Sequence, residues 1–187
     1  MRIDTTFNIA VALALAAGCS HGSQFKDKAM DFAAVRTVAV LPFQNLSSTP
    51  AGAERTREVF SELLFASGAV YVLPSGEVAR GIGKANLGNP TTPSAEDVVN
   101  LGKALAAQAV ITGTVKEYGE TRSGSSTGSV ISVSVQMLET SSGKVVWQAS
   151  TTRGGIGFWT RLVGGGGDPM NNITEDAVRD LLGKLFK

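Results

Sequence analysis

The sequence predicts an α/β fold, in which one mixed β-sheet of about five strands packs with about four helices. Three observations lead to this prediction. Short apolar runs have the length of strands, other segments carry apolar side chains at helical spacing, and the second half of the domain alternates apolar with small polar residues. In chain order these elements read β-α-β-α-α-β-β-β-α.

The first strand and the first helix lie close together in the chain. Residues 38–43 (VAVLPF) are continuously apolar, which predicts a buried central strand that ends at Pro42. Residues 51–66 place apolar side chains on one helical face and charged ones on the other, and Gly68 is a suitable stop for this helix.

A second strand and two helices follow. Residues 70–73 (VYVL) predict the strand, and a weak helix that opens at Pro74 is broken by the glycines that begin with Gly81. Ser94 begins a capping-box pattern (SAED), which predicts a helix over about residues 95–107.

Three strands and a helix complete the domain. Residues 109–115, 131–137 and 145–149 alternate between apolar and polar side chains, and the middle strand is half-exposed. Residues 121–128 (TRSGSSTG) are expected to form a flexible loop, and the last helix begins near Thr174. The first two strands should be parallel, because a helix joins them, and the last two should form an antiparallel hairpin.

The N-terminal segment predicts export and lipidation. Residues 9–17 are apolar and uncharged, which is about the length of a signal-peptide core and too short to span a bilayer. Residues 15–19 (LAAGC) resemble the bacterial lipobox, whose cysteine is lipidated and becomes the mature N-terminus. Cys19 is the only cysteine of the chain, so we expect a covalent lipid there and no other cofactor or metal. The alternative is a plain secretory signal with an incidental cysteine.

These features divide the chain into three parts. We expect residues 1–18 to be a signal peptide, 19–33 a lipidated N-terminus with a flexible tether, and 34–187 a single α/β domain. Such a tether of about 15 residues reaches roughly 50 Å at most. The net charge of +1 argues against a nucleic-acid partner. Ser20 after the lipidated cysteine fits the enterobacterial pattern for retention at the periplasmic face of the outer membrane.

Catalytic signals are sparse in this sequence, so we expect no enzyme. The single histidine, His21, lies in the tether, which argues against a metal cluster or a nucleophile–histidine pair in the domain. Glu117, Glu120 and Glu139 lie near predicted strand ends, where they could approach one another as paired carboxylates. The alternative is that they are solvated charges.

One segment is too rich in glycine for a helix and too apolar for an ordinary loop. Residues 154–170 hold Phe158, Trp159, Leu162 and Val163 among seven glycines. These four residues are the candidate membrane or subunit interface, since exposed apolar residues with tryptophan suit either surface. The alternative is that Trp159 folds back onto its own domain.

Three segments together resemble a known group of proteins. Residues 38–48 (VAVLPFQNLSS), 109–119 (AVITGTVKEYG) and 135–152 (VQMLETSSGKVVWQASTT) resemble a periplasmic lipoprotein superfamily. That superfamily includes CsgG-type secretion lipoproteins, PelC exopolysaccharide-export lipoproteins, LpoB synthase activators and the TolB N-terminal domain. Residues 45–50 are most like PelC, and the resemblance covers roughly residues 35–187.

The resemblance implies a domain that often assembles into rings under the outer membrane. We therefore expect self-association and, as partners, an outer-membrane export protein or a polysaccharide. A transmembrane barrel of the CsgG type is not expected, because the 121–128 segment is short and polar. The alternative function is that of a monomeric lipoprotein regulator which binds a peptidoglycan synthase or another envelope complex.

Overall fold

The structure, a computed structural model, describes residues 23–123, 126–155 and 168–187. In these residues it contains seven strands and four α-helices. The strands are β1 (Gln24–Lys26), β2 (Thr37–Val40), β3 (Gln44–Asn45), β4 (Tyr71–Val72), β5 (Ala109–Ser123), β6 (Ser126–Glu139) and β7 (Val145–Gly154). The helices are α1 (Gly52–Ala66), α2 (Ser75–Lys84), α3 (Ala95–Leu105) and α4 (Met170–Leu185).

All seven strands belong to one mixed sheet. Its order is β1-β7-β6-β5-β2-β4, and β3 pairs beside β5. Strand β2 is parallel to both β4 and β5, whereas β5, β6, β7 and β1 pair antiparallel in turn. The predicted α/β fold is confirmed, as are the parallel first pair and the antiparallel hairpin.

Helices cover the sheet on both faces. Helices α1 and α4 bury the larger core, in which Trp147 is fully buried and Phe43 meets Phe60 at a ring distance of 5.9 Å. Helices α2 and α3 bury a smaller core around Leu41 and Leu101 on the opposite face. This smaller layer leaves part of its face uncovered, which matters for the candidate site below.

Helix α2 corrects one prediction, because glycines do not break it. The helix runs through Gly81 and Gly83 and ends at Lys84. A Cβ added at Gly81 would overlap the side chain of Leu105 in α3. The glycine therefore permits close packing of two helices, a tertiary requirement that local helix propensity does not reveal.

The other helix boundaries follow local signals, with one shift. The Ser94 side chain accepts a hydrogen bond from the Asp97 amide at 3.2 Å, which confirms the capping box of α3. Helix α4 begins at Met170, earlier than predicted, directly after Pro169. The additional first turn packs Ile173 into the larger core. This burial stabilises the turn, so the helix begins before the acidic residues Glu175 and Asp176.

The loop predicted at residues 121–128 is instead a paired ribbon. Thr121 lies opposite Gly128, and Ser123 lies opposite Ser126, so β5 extends to residue 123 and β6 begins at residue 126. Strand β7 ends at Gly154. We call the β5–β6 ribbon beyond this point, residues 120–123 and 126–129, the hairpin arm. Ladder hydrogen bonds stabilise it, although its side chains carry no strand pattern.

Strand β1 lies within the segment expected to be a flexible tether. The Ser150 amide donates a hydrogen bond to the Ser23 carbonyl at 3.0 Å, and Gln24 then pairs with Ala149. Lys26 donates to the carbonyl of Leu185 at 3.1 Å. From Ser23 onwards the described chain is therefore paired in the sheet, and three residues (20, 21 and 22) lie between Ser23 and Cys19.

Candidate functional site

The predicted site residues lie outside the described part of the chain. Cys19 precedes Ser23, and Phe158, Trp159, Leu162 and Val163 fall within residues 156–167. The residues that flank both segments are described. They show where each segment leaves the sheet.

Both segments leave the sheet at the same end. Ser23 lies against Ser150 in β7, and β1 runs antiparallel to β7. Followed backwards from Ser23, the chain therefore points along β7 towards Gly154 and Gly155. We call these three positions, Ser23, Gly154 and Gly155, the exit corner. Consequently the chain to Cys19 and the chain to Phe158 start from the same end of neighbouring strands, about 13 Å apart along β7.

The turn out of β7 at the exit corner requires glycine. Gly154 has a φ of +80°, and a Cβ there would overlap the carbonyl oxygen of Ser129. Gly155 has a φ of +93°, and its amide donates a hydrogen bond to the same carbonyl at 2.7 Å. Residues with a side chain rarely adopt this left-handed conformation. The direction in which the chain leaves the sheet is thus set by two glycines.

A cluster of charges holds α4 against β7 beneath this corner. Asp180 forms an ion pair with Arg153 at 2.8 Å and accepts a hydrogen bond from Lys184 at 2.6 Å, and Lys184 also donates to the Ser150 carbonyl at 3.0 Å. Burial raises the pKa of the Asp180 carboxyl. The hydrogen bonds from Lys184 and Thr151 and the two nearby positive charges outweigh burial, so its pKa lies below the ordinary value.

Part of the sheet forms a surface of hydroxyl and amide side chains, with one charged residue, Glu117, at its margin. It lies on the side of α2 and α3, beyond the reach of these helices. We call it the neutral face. Its residues are Thr114 and the buried Thr112 of β5, Ser132, Ser134 and Gln136 of β6, and Gln148, Ser150 and Thr152 of β7. Glu117, opposite Ser132, and Phe25, opposite Gln148, lie on the same face at its margins.

Side chains of the neutral face pair across neighbouring strands. Gln136 donates to Gln148 at 3.2 Å, and Thr152 donates to Ser132 at 3.0 Å. A cleft of about 260 Å³ opens at one end of this face, beside residues 91–93. These hydroxyl and amide groups can exchange hydrogen bonds with a neutral ligand, but they do not titrate near neutral pH.

Glu139 does not meet Glu117 or Glu120, the other glutamates considered as paired carboxylates. Glu139 lies opposite Ala109 at one end of the β5–β6 ladder, and Glu117 lies eight residues further along β5. At the usual strand rise this separation is about 26 Å, and Glu120 is farther still. In the described ranges no three His, Cys, Asp or Glu side chains are grouped as a metal site requires.

No protein-family model matches the chain, and no curated protein matches it. Solved structures do share its fold. A PelC dodecamer from Paraburkholderia phytofirmans is 19% identical with a TM-score of 0.59, and the match covers 88% of this chain and 98% of PelC. Lipoprotein GNA1162 from Neisseria meningitidis is 17% identical with a TM-score of 0.57, and the match covers 81% and 98%.

The LpoB C-terminal domain from Salmonella enterica is a more distant match. It is 12% identical with a TM-score of 0.51, and the match covers 68% of this chain and 87% of that one. The predicted resemblance to PelC and LpoB is thus confirmed at the level of fold. The CsgG-type and TolB parts of that resemblance stay predictions.

Proposed function

We propose that this protein is an outer-membrane-anchored periplasmic lipoprotein that forms a ring or scaffold as an accessory component of an envelope export system. The observation that carries the proposal is the exit corner. The chain to the lipobox cysteine and the chain to the apolar segment around Trp159 leave the sheet at the same end. The lipid on Cys19 would then attach the domain to the membrane, and the apolar segment around Trp159 would orient it at the same membrane surface. In this role the protein has no catalytic step.

The lipid on Cys19 would be the anchor. In the part of the chain that the structure describes, none of the helices has the length and apolar character needed to cross a bilayer. Stable anchoring by lipid takes more than one acyl chain, or one chain with a second membrane contact. Diacylglycerol and an added acyl chain such as palmitate on Cys19 would satisfy this requirement, with Phe158 and Trp159 as further contacts.

Self-association is proposed from the fold together with the resemblance in sequence. The PelC structure that shares this fold is a dodecamer. A ring needs a head-to-tail contact in which two different surfaces of the subunit meet. Such a contact would repeat around the export path.

The neutral face is the surface that we assign to the exported polymer. A polysaccharide presents many hydroxyl groups and few apolar ones, and Ser, Thr and Gln side chains can donate to them and accept from them. Each such bond is weak because it replaces a bond to water. Weak and repeated contacts suit a polymer that must move past the protein.

A monomeric regulator of a peptidoglycan synthase is the second candidate. The fold shared with the LpoB C-terminal domain favours it. The position of β1 limits it, because three residues between Cys19 and Ser23 extend no more than about 14 Å. Such a partner would have to bind directly under the outer membrane.

The full chain, expressed in a Gram-negative host and extracted in mild detergent, tests the proposal. We expect mass spectrometry to find diacylglycerol and an acyl chain on Cys19, and sedimentation or native mass spectrometry to find a discrete oligomer. A Cys19→Ala chain is the control that lacks the lipid. An unmodified Cys19 would overturn the anchor, and a monomer at every concentration would overturn the ring.

A further inference from the structure

We propose that the β1 edge of the sheet faces the bilayer, with Phe25 in the lipid interface, and that the hairpin arm does not point into the membrane. This inference rests on the proposed lipid at Cys19. It follows from two lengths that can be compared along the same direction, those of the tether and of the hairpin arm.

The tether is the shorter of the two. Ser23 is held against Ser150 by a backbone hydrogen bond and by a contact between the two hydroxyl oxygens, both at 3.0 Å. Four residue steps lead from Ser23 to Cys19. A fully extended chain therefore places the lipid-bearing residue within about 14 Å of Ser23.

The hairpin arm reaches farther in that direction. Ser150 lies four residues before Gly154 in β7, Gly154 pairs with Val130, and four further residues of β6 lead to Ser126. Eight residues at the usual strand rise place Ser126 about 26 Å beyond the level of Ser23. If the strands stood upright under the bilayer, the arm would pass about 12 Å beyond Cys19 and enter the hydrocarbon.

The chemistry of the arm excludes that orientation. Residues 121–129 (TRSGSSTGS) contain Arg122 and otherwise only hydroxyl side chains and glycine. No third strand pairs with this ribbon in the described residues, so its outer backbone groups beyond the Ser129 carbonyl, which accepts from Gly155, need water. Unpaired backbone groups and a charged side chain are costly in hydrocarbon. The strands must therefore be inclined to the bilayer, so that the lipid-bearing edge comes nearest to it.

The residues on the β1 edge suit an interface. The Phe25 side chain is 51% exposed, and Lys28 next to this strand is exposed. Lys26 lies partly buried with its ammonium 4.9 Å above the Phe32 ring, so the aliphatic stem covers apolar surface. Phe25 can bury apolar area at the interface while the ammonium group of the exposed Lys28 meets lipid phosphates.

Single cysteines can report the orientation, because lipidation consumes the only native thiol. We would introduce Phe25→Cys on the β1 edge, Arg122→Cys on the arm and Tyr71→Cys on the β4 edge, each into the full lipidated chain. Tyr71 is the matched control, since it is an aromatic residue on the opposite edge strand and is 53% exposed. Each thiol carries a fluorophore, and vesicles of phosphatidylethanolamine and phosphatidylglycerol carry a nitroxide on their headgroups.

We expect the label at position 25 to lose most of its fluorescence, while those at positions 122 and 71 keep most of theirs. Lys28→Cys gives a second reading of the β1 edge if Phe25→Cys misfolds. Stronger quenching at position 122 than at 25 would show that the arm enters first and would overturn the proposal. A label at position 25 that is already shielded in detergent solution would also overturn it, since a second copy would then cover the edge.

The same samples separate this inference from the proposed function. If mass spectrometry finds Cys19 unmodified, the anchor fails and the orientation fails with it. If Cys19 is lipidated and the protein floats with the vesicles, but the label at position 25 is not quenched, the proposed function stands and only the orientation is refuted.

Discussion

The charge cluster around Asp180 leads to a quantitative prediction about stability. Asp180→Asn keeps the shape of the side chain but removes the charge that pairs with Arg153 and Lys184 at 2.8 and 2.6 Å. The Asp180 side chain is 23% exposed, so its pairs lie between surface and buried ion pairs. Charge-assisted hydrogen bonds contribute about 1.5–3 kcal/mol and exposed ion pairs up to about 1 kcal/mol. We expect a loss of about 2 kcal/mol in the free energy of unfolding at neutral pH.

The matched control is a second pair on the same helix. Glu175 and Arg179 are joined at 3.3 Å, but their side chains are 50% and 63% exposed. Water screens this pair, so Glu175→Gln should cost less than about 0.5 kcal/mol. Urea unfolding of the full chain, followed by tryptophan fluorescence, to which the buried Trp147 contributes, measures both differences.

The pH dependence of the Asp180→Asn effect has a definite sign. The pKa of Asp180 is lower in the folded state than its ordinary value of 3.8. Its stabilising effect is therefore complete above the ordinary value and is lost as the pH falls through the folded-state pKa. The difference between wild type and Asp180→Asn should shrink in acid. A difference no larger than that of Glu175→Gln, or one that persists unchanged in strong acid, would refute this reasoning.

Three further predictions address α2, the neutral face and α3. Gly81→Val should destabilise the protein by about 1–3 kcal/mol, because the added side chain would overlap Leu105 of α3. Gly83→Ala meets open space and should stabilise the helix by about 0.5–1 kcal/mol, because alanine has the higher helix propensity. Thermal unfolding measures both changes. Gln136→Glu should leave thermal stability nearly unchanged but weaken binding of a neutral polysaccharide in cosedimentation, whereas Asn100→Asp, the same change on exposed α3, should not. Ser94→Ala should cost about 1 kcal/mol and speed hydrogen exchange in the first turn of α3, and unchanged exchange there would argue against the cap.

Much of the fold could be predicted from local pattern. The apolar run at residues 38–43, the amphipathic helix at 51–66 and the capping box at Ser94 each gave the correct element, because side-chain spacing encodes which face is buried. The half-exposed strand at residues 131–137 was also foreseen, and it supplies the central row of the neutral face. Its partners in β5 and β7 became part of one surface only through the strand register.

The errors share a physical cause. Strand β1 and the hairpin arm are stabilised by backbone hydrogen bonds to distant strands, which require no particular side chains. The low helix propensity of glycine predicted a break at Gly81, but α2 needs glycine there because a Cβ would overlap Leu105. The glutamates at positions 117 and 139 looked able to meet until the register separated them along one ladder.

The sequence alone determined most helices and strands and the uncharged character of the alternate residues on β6, since these depend on side-chain chemistry and short-range spacing, and it predicts the lipid at Cys19. Only the tertiary structure decided that residues 24–26 join the sheet. It showed that the segment after Cys19 is fixed from Ser23 onwards and that the chains to Cys19 and to Trp159 leave the sheet at the same end. These facts depend on long-range backbone pairing, which local sequence patterns do not encode.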